Sequence, residues 1–411
     1  MNRLLLRNNK VLIPSILTQI LICEVWGIRL LSYSKAVALR LPFMDVFAPI
    51  IVPSIILLTA IASFSYWSKF IRGTDWLFVF GFASLFVISW GLLPENKMYE
   101  EYWAVFLFTA LPTYLIGVLF DIKGLEKVFF VISLLTVLLQ GVNSLVFEQA
   151  EINSMSDSEL LEQMNTSYGV LPHALYLFYY FFKHLSVKTL FCAVLSLLLL
   201  LSYGTRGPVV CTVFFIASYV FLSVKSKYRF WIIVVIGIAG YFLITNLMSV
   251  ALFMSEITNQ LGMSDRIFKL VLEEDYTHTS GRDDMLSQGF SALQSAPIFG
   301  YGLGGSWVTL KGYSHNLALD ILTSFGFFVG SIILFAFAFM FFITYLRVRK
   351  DTDKLPIFLL LFSCGFVKFF MSAYALGDLY FFLLIGYCVG RLRGVTLPIR
   401  NNNALPQTTV N

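Results

Sequence analysis

The chain alternates long apolar runs with short polar segments. A helix needs about 20 mostly apolar residues to cross a bilayer, because only backbone hydrogen bonds closed within the segment are stable in hydrocarbon. The pattern therefore predicts an all-α integral membrane protein, a polytopic bundle of about twelve transmembrane helices forming a single transmembrane domain over residues 1–411. The predicted spans are 11–28, 44–66, 76–94, 103–121, 127–147, 169–183, 187–203, 207–224, 230–253, 317–346, 355–374 and 377–390.

Composition agrees with a membrane protein. Of the 411 residues, 58% are hydrophobic and 13% are charged, about half of the roughly 25% that is typical of soluble domains. The net charge is +5, but the cations are spread in short clusters, so the expected partner is the lipid bilayer and not a nucleic acid. All five cysteines lie in apolar runs, and no group of His, Cys and carboxylates has metal-ligand spacing. The sequence thus predicts neither a metal site nor a cofactor.

The positions of the charges predict the orientation. Lys and Arg concentrate in every second loop, which marks these loops as cytoplasmic. Both termini are then cytoplasmic, and the long loop 254–316 is extracytoplasmic. Arg29, Lys35 and Arg40 disagree with this scheme, so either the first two spans are misread or these cations meet an anionic partner. The residues that define the cytoplasmic loops are Lys69, Arg72, Lys123, Lys127, Lys183, Lys188, Lys225, Lys227, Arg229, Arg347, Arg349 and Lys350.

Arg206 is the first candidate functional residue. It lies in the connection 203–208 between two predicted spans, where Gly and Pro indicate a turn. Its guanidinium offers five donors in a planar fork that suits a bidentate contact with phosphate. An Arg on the predicted outer side runs against the positive-inside trend, which favours a functional role. The alternative is an interfacial anchor whose stem lies along the lipid.

Arg282 is the second candidate, within the loop 254–316. Ser280 and Asp283 have the spacing of a capping box, and Pro297 ends the apolar periodicity that follows. The pattern predicts a short amphipathic helix with Arg282 in its first turn, where anions are favoured. An ion pair between Arg282 and a neighbouring aspartate is the alternative. The glycine-rich run 300–305 predicts a loop with unusual backbone angles close to a ligand.

His315 is the third candidate, at the start of the predicted span 317–346. An imidazole titrates near neutral pH and can accept a proton from a hydroxyl group. The alternative is that His315 caps the helix. Its neighbours Tyr313 and Asn316 are predicted to bind substrate. Lys368 is an intramembrane cation and therefore also a predicted substrate-binding residue, with either Asp378 or a lipid diphosphate as its partner.

Three short blocks, in this order, resemble the O-antigen ligase and polymerase superfamily of bacterial lipopolysaccharide assembly. They are 203–208, the segment from Ser280 through 300–305, and 313–316 leading to Gly326. The resemblance covers roughly the C-terminal half. It implies a metal-independent, inverting C-type glycosyltransferase (GT-C) fold that acts on a glycan carried by undecaprenyl diphosphate, at the periplasmic face of the cell inner membrane. It also implies that Arg206 and Arg282 hold the diphosphate and that His315 lies near the attacking hydroxyl.

Within this superfamily, the turn 205–208 and the run 313–317 look more like those of O-antigen polymerases. The ligase pattern also has a small residue or Tyr where Val329 stands. The favoured interpretation is a polymerase of O-antigen repeat units, for which a chain-length regulator is a further expected partner. The alternative is an O-antigen ligase that transfers the glycan to lipid A-core.

A lipid-linked oligosaccharide flippase or a secondary transporter is the alternative from another class. Transporters often carry a matching pair of Gly/Pro-broken spans in their two halves, and no such pair is visible in this sequence. A flippase would bind the same diphosphate as a transferase. Product analysis in detergent separates the two classes, because only an enzyme lengthens or transfers glycan there.

Overall fold

The computed structural model describes residues 2–28, 42–147, 157–203, 205–223, 234, 245–260, 272, 282–295, 298–310, 312–371 and 374–395. Every regular element within these ranges is helical. The α-helices are α1 (Asn2–Trp26), α2 (Pro42–Trp67), α3 (Gly73–Leu92), α4 (Lys97–Val105), α5 (Thr113–Leu119), α6 (Glu126–Phe147), α7 (Asp157–His184), α8 (Val187–Ser202), α9 (Arg206–Ser223), α10 (Leu247–Gln260), α11 (Arg282–Ser295), α12 (Gly305–Leu310), α13 (Leu317–Val348), α14 (Lys354–Gly365) and α15 (Leu379–Arg393). A π-helical turn, Phe106–Ala110, follows α4, and 3₁₀ turns lie at Ser68–Phe70, Val367–Phe370 and Ala375–Gly377.

Four described segments are long and apolar enough to cross a bilayer: Gly73–Leu92, Lys97–Leu119, Arg206–Ser223 and Leu317–Val348. Their surfaces are apolar as well. Large side chains on α3 and α13, such as Leu77 and Phe335, are 73% and 72% exposed. Water would oppose such exposure, whereas lipid tails solvate it. The chain is therefore an all-helical, multi-pass membrane protein, and the count of twelve spans stays a prediction.

Two predicted spans differ from the observed helices. The predicted span 355–374 is wrong in its extent, because α14 ends at Gly365 and the next described element is the 3₁₀ turn Val367–Phe370. The predicted span 169–183 is the second half of the longer helix α7. Most of the predicted span 230–253 lies outside the described residues, and so do Arg29, Lys35 and Arg40.

Loops that were predicted to be cytoplasmic meet at one end of the bundle. Lys183, at the end of α7, pairs with Glu126 at 2.7 Å and with Asp353 at 2.8 Å. Arg393, at the end of α15, pairs with buried Asp75 at the start of α3. These contacts confirm for the described loops that they share one side, and the loop with Lys225, Lys227 and Arg229 lies outside the described residues. Which compartment that side faces stays a prediction.

Helices α5 and α15 touch backbone to backbone in the core. A Cβ on Gly386 would overlap the carbonyl oxygen of Tyr114, and one on Gly390 would overlap that of Val118. Gly117 faces the same contact from α5. Small residues allow this approach, and close packing is what holds helices together where lipid supplies no hydrophobic force between them.

The glycine-rich run docks on a kink in α13. Gly326 has φ 72° and ψ 171°, which interrupts the helix. A Cβ on Gly326 would overlap the carbonyl group of Ile298, and one on Gly300 would lie 2.5 Å from the nitrogen of Gly326. The amide of Tyr301 donates to the carbonyl of Thr323 at 2.9 Å. The contact joins two backbones with no side chain between them.

The unusual backbone angles predicted for this run are confirmed. Gly300, Gly302 and Gly304 all have positive φ. Glycine is needed here because the run passes directly against α13 and α4. A Cβ on Gly304, for example, would overlap the Met98 side chain. Contacts with α13 and with Met98 account for glycine at positions 300 and 304, and a ligand close to the run stays a prediction.

We expect Gly326→Ala to destabilise the protein. The backbone angles of Gly326 lie in a region open to little besides glycine, which costs about 1–3 kcal/mol for another residue, and the added methyl group would also displace Ile298. Thermal unfolding in detergent measures the effect. Gly81→Ala on α3 is the matched control, because a Cβ there meets nothing within 4 Å. Equal melting temperatures for the two variants would contradict the docking argument.

Candidate functional site

The Arg206 turn is pinned to α7. Thr205 Oγ1 donates to Ser167 Oγ at 2.8 Å. Gly207 faces the Tyr168 phenol so closely that a Cβ would overlap it. These contacts fix the first turn of α9 and leave Arg206, its first residue, exposed at the helix start. The tight turn predicted here is confirmed for its described residues, and Gly204 lies outside them.

Asn316, and not His315, caps α13. Asn316 Oδ1 accepts from the amides of Ala318 at 3.0 Å and Leu319 at 3.2 Å. Ser314 Oγ donates to the Asn316 carbonyl at 2.9 Å. The capping alternative for His315 is therefore wrong, and the Oδ1 atom of Asn316 is already engaged by the helix. Its role in substrate binding stays a prediction.

His315 has a left-handed backbone conformation, with φ 56°. Such angles are uncommon for residues other than glycine, although His is among those that adopt them more often. Buried Asp320 holds the segment before it, because its Oδ1 accepts from the Ser314 amide at 2.9 Å. The chain thus turns sharply at His315 between two anchored neighbours. Strained residues of this kind cluster at functional sites.

An aromatic cluster surrounds this turn. It consists of Tyr102 from α4, Trp307 from α12, Tyr313, and Tyr374 from the connection before α15. Their ring centroids lie 5.3 Å apart for Tyr102 and Tyr374, and 6.0 Å for Tyr313 and Tyr374. The Tyr313 ring also lies 4.5 Å from that of His315. Sequence reasoning found only Tyr313, because the other rings come from segments that no local pattern connects.

The short helix predicted around Arg282 is confirmed as α11, which begins at that residue. It packs on the start of α13 through Gly289, whose Cα faces the Leu319 side chain. The Met285 side chain would lie 3.7 Å from a Cβ on Gly312, and Gly312 directly precedes Tyr313 of the aromatic cluster. The backbone of Arg282 is therefore close to the His315 segment. Its side chain, like Ser280, lies outside the described residues, so the aspartate-pairing alternative stays open.

Lys368 pairs with Asp378. The pair is largely buried, with side-chain exposures of 3% and 17%. Asp378 Oδ1 also caps α15 by accepting from the amides of Tyr380 and Phe381. The sequence left two partners open for Lys368, and the structure gives Asp378. A direct contact between Lys368 and substrate stays a prediction.

The connection 366–378 joins the parts of this end of the bundle. Met371 lies 3.3 Å from a Cβ built on Gly207, so the connection touches the Arg206 turn. Three residues later, Tyr374 enters the aromatic cluster. Gly377 then faces Tyr102 so closely that a Cβ on Gly377 would lie 2.5 Å from the Tyr102 ring. The Arg206 turn and the His315 segment thus belong to one continuous site, which we call the polar end.

Within the described residues, no group of three or more His, Cys, Asp or Glu could hold a metal ion.

The described residues form a multi-pass membrane protein with Arg206 and His315 at the same end of its helices. Residues 191–334 match the O-antigen ligase family model, a segment from α8 into α13 that is about a third of the chain. It includes the candidates Arg206, Arg282, Tyr313, His315 and Asn316. The match confirms the resemblance to the O-antigen polymerase and ligase superfamily. Neither the curated proteins nor the solved structures include a significant match to the chain.

We expect Lys368→Met to destabilise the protein by about 3–5 kcal/mol, because it leaves the Asp378 carboxylate buried without its partner. The double variant Lys368→Met with Asp378→Asn should recover much of this loss, since Asn removes the charge but keeps the cap on α15. Thermal unfolding in detergent gives the comparison. Lys123→Met, at an exposed position, is the control. A double variant no more stable than the single one would show that the ion pair is not what Lys368 contributes.

Proposed function

We propose that this protein is a glycosyltransferase of O-antigen assembly that polymerises repeat units carried on undecaprenyl diphosphate. The reaction is metal-independent and inverting, on a C-type glycosyltransferase scaffold at the periplasmic face of the inner membrane, with both termini cytoplasmic. One observation carries the proposal. His315 sits in a left-handed turn at the polar end, directly before the Asn316 cap of α13, in a segment that matches the O-antigen ligase family.

The proposed chemistry is a single displacement. A hydroxyl of the acceptor sugar attacks the anomeric carbon of the donor glycan. The bond from that carbon to the diphosphate oxygen breaks, and its electron pair leaves with the diphosphate. His315 accepts the hydroxyl proton. Arg206 and Arg282 stabilise the charge that develops on the leaving diphosphate.

The membrane setting supports this assignment. The diphosphate of a lipid carrier lies at the depth of the lipid headgroups, while its polyprenyl chain stays in the hydrocarbon. Arg206 is exposed at the end of an apolar helix, and α11 begins beside the His315 segment. A cation at such a position can meet the diphosphate without leaving the interface.

Ligase activity is the second candidate, because the matching family model is described as O-antigen ligase. The same residues would then transfer the finished glycan to lipid A-core. Deletion of the gene separates the two activities on a polysaccharide gel. A polymerase mutant keeps a single repeat unit on lipid A-core, whereas a ligase mutant has no attached glycan.

We expect His315→Asn to lose most of its turnover and to keep its binding of the lipid-linked donor. Asn tolerates the left-handed backbone of this position, so the change removes the imidazole and preserves the turn. The loss should be on the order of 10² to 10⁴ in rate, the usual contribution of a general base. Polymer formation from purified lipid-linked repeat units measures it.

The matched control for this variant is His184→Asn, which changes an exposed histidine at the end of α7, beside Lys183. Near-normal polymer from His315→Asn would rule out the proton-accepting role. The arginines would then have to carry the reaction by stabilising the leaving group alone.

We expect Arg206→Lys to impair transfer although the charge is kept, because an ammonium group cannot make the forked contact of a guanidinium with a diphosphate. The distribution of polymer chain lengths at equal expression is the measurement. Arg347→Lys is the control, an exposed arginine of the opposite end that donates to the Leu392 carbonyl at 2.6 Å. A wild-type distribution for Arg206→Lys would favour the interfacial-anchor interpretation.

A further inference from the structure

A cleft opens beside the aromatic cluster, at Trp307. It has a volume of about 610 Å³ and is lined by residues 92–97, which connect α3 to α4, together with Trp307 and Val308 of α12. We call it the Trp307 cleft. Clefts of a few hundred to a thousand cubic ångströms are the usual size for small-molecule sites.

The two walls of the Trp307 cleft are tied together at its base. Asn96 Nδ2 donates to the Gly304 carbonyl at 3.1 Å, and Tyr99 Oη donates to the Leu303 carbonyl at 2.8 Å. Asn96 and Tyr99 are both buried. These bonds join α4 to the docked glycine-rich run, so they fix the two walls of the cleft relative to each other. A preformed site binds with a smaller ordering cost.

The chemistry of the lining fits a sugar. Trp307 supplies an aromatic surface, and Glu95 and Lys97 supply an exposed carboxylate and an exposed ammonium group. A pyranose ring has an apolar face of C–H groups, which packs on the electron-rich face of an indole. Its hydroxyls both donate and accept hydrogen bonds, so a carboxylate and an ammonium can each bind one.

A lipid tail fits this lining poorly. A separate groove of about 370 Å³ between α1, α2, the π-helical turn and α5 has the all but entirely apolar lining that such a chain requires. The Trp307 cleft instead carries charges of both signs, which a hydrocarbon chain would desolvate without compensation.

Trp307 lines the cleft and also lies close to the segment that carries His315. Its ring lies 6.3 Å from that of Tyr313, which contacts the His315 ring at 4.5 Å. We propose that the Trp307 cleft is a binding subsite for a sugar residue of the glycan, next to the residue that reacts at His315. This inference rests on the proposed function and names Trp307, Glu95 and Lys97 as its specificity-determining residues.

Binding of lipid-free glycan tests the subsite. The probe is the O-polysaccharide of the protein's own strain, released from lipid A by mild acid and titrated into the full-length protein in detergent. We expect Trp307→Ala to weaken binding by about tenfold, and Trp307→Phe to weaken it less because an aromatic face remains. Trp103→Ala is the control, since Trp103 is 41% exposed and contacts Trp90 and Phe108 instead.

Glu95→Gln and Lys97→Gln also test the subsite. We expect neither to affect folding, because both side chains are exposed. Weaker binding in either variant, with unchanged melting temperature, supports the subsite. If Glu95→Gln, Lys97→Gln and Trp307→Phe all bind the polysaccharide with wild-type affinity, the proposed subsite is overturned.

The same proteins, assayed for transfer, separate this inference from the proposed function. If the wild type transfers glycan and the cleft variants match it in affinity and chain length, the subsite is overturned and the function stands. If the wild type binds the polysaccharide through Trp307 but transfers nothing, the function is overturned and the binding site stands.

Discussion

The polar end depends on one constraint, the direct contact between the backbone of the glycine-rich run and the kink of α13. Gly300 and Gly326 face each other with no room for a Cβ on either. The amide of Gly305, at the end of the run, donates to Ser324 Oγ of α13 at 3.1 Å, so the start of α12, which carries Trp307, is fixed as well. The continuation of the chain then reaches His315 after a few residues. Bonds from Asn96 and Tyr99 attach the same run to α4. The candidate site thus lies on segments braced by two helices, which is how precise positions are maintained in a loop.

The residues around the turn at His315 have separate structural roles. Asn316 satisfies the first amides of α13, and Asp320 holds the Ser314 amide. With these hydrogen bonds formed on both sides, the chain can sustain a left-handed angle at His315, a conformation that otherwise costs free energy. A helix cap placed at His315 itself would have engaged the imidazole. The arrangement instead leaves the ring beside Tyr313, facing the aromatic cluster.

Hydropathy predicted the helices and the charges predicted which loops share an end, because both signals are local or cumulative along the chain. The Arg206 turn and the helix at Arg282 were predicted from Gly, Pro and capping patterns for the same reason. The aromatic cluster was not predictable, since Tyr102 and Tyr374 meet only in the folded chain. The break in the predicted span 355–374 was also missed. Apart from Ser363 and Lys368 its residues are apolar or small through Phe370, so hydropathy does not register that the backbone leaves the α-helix at Gly365.

The pairing of Lys368 with Asp378 changes which cations can attract an anionic substrate. A paired ammonium and carboxylate largely cancel each other's field at a distance, so Lys368 adds little to the potential over the polar end. On the proposed function, attraction of the diphosphate then rests on arginines at helix starts, Arg206 on α9 and Arg282 on α11. On that proposal, an arginine at a helix start can meet the diphosphate at the membrane interface, whereas a cation deeper in the bundle would require the diphosphate to leave water. The pair holds the connection 366–378 between the Arg206 turn and the aromatic cluster. On the proposed function, the pair would thereby help to keep the leaving group and the attacking hydroxyl at a fixed separation.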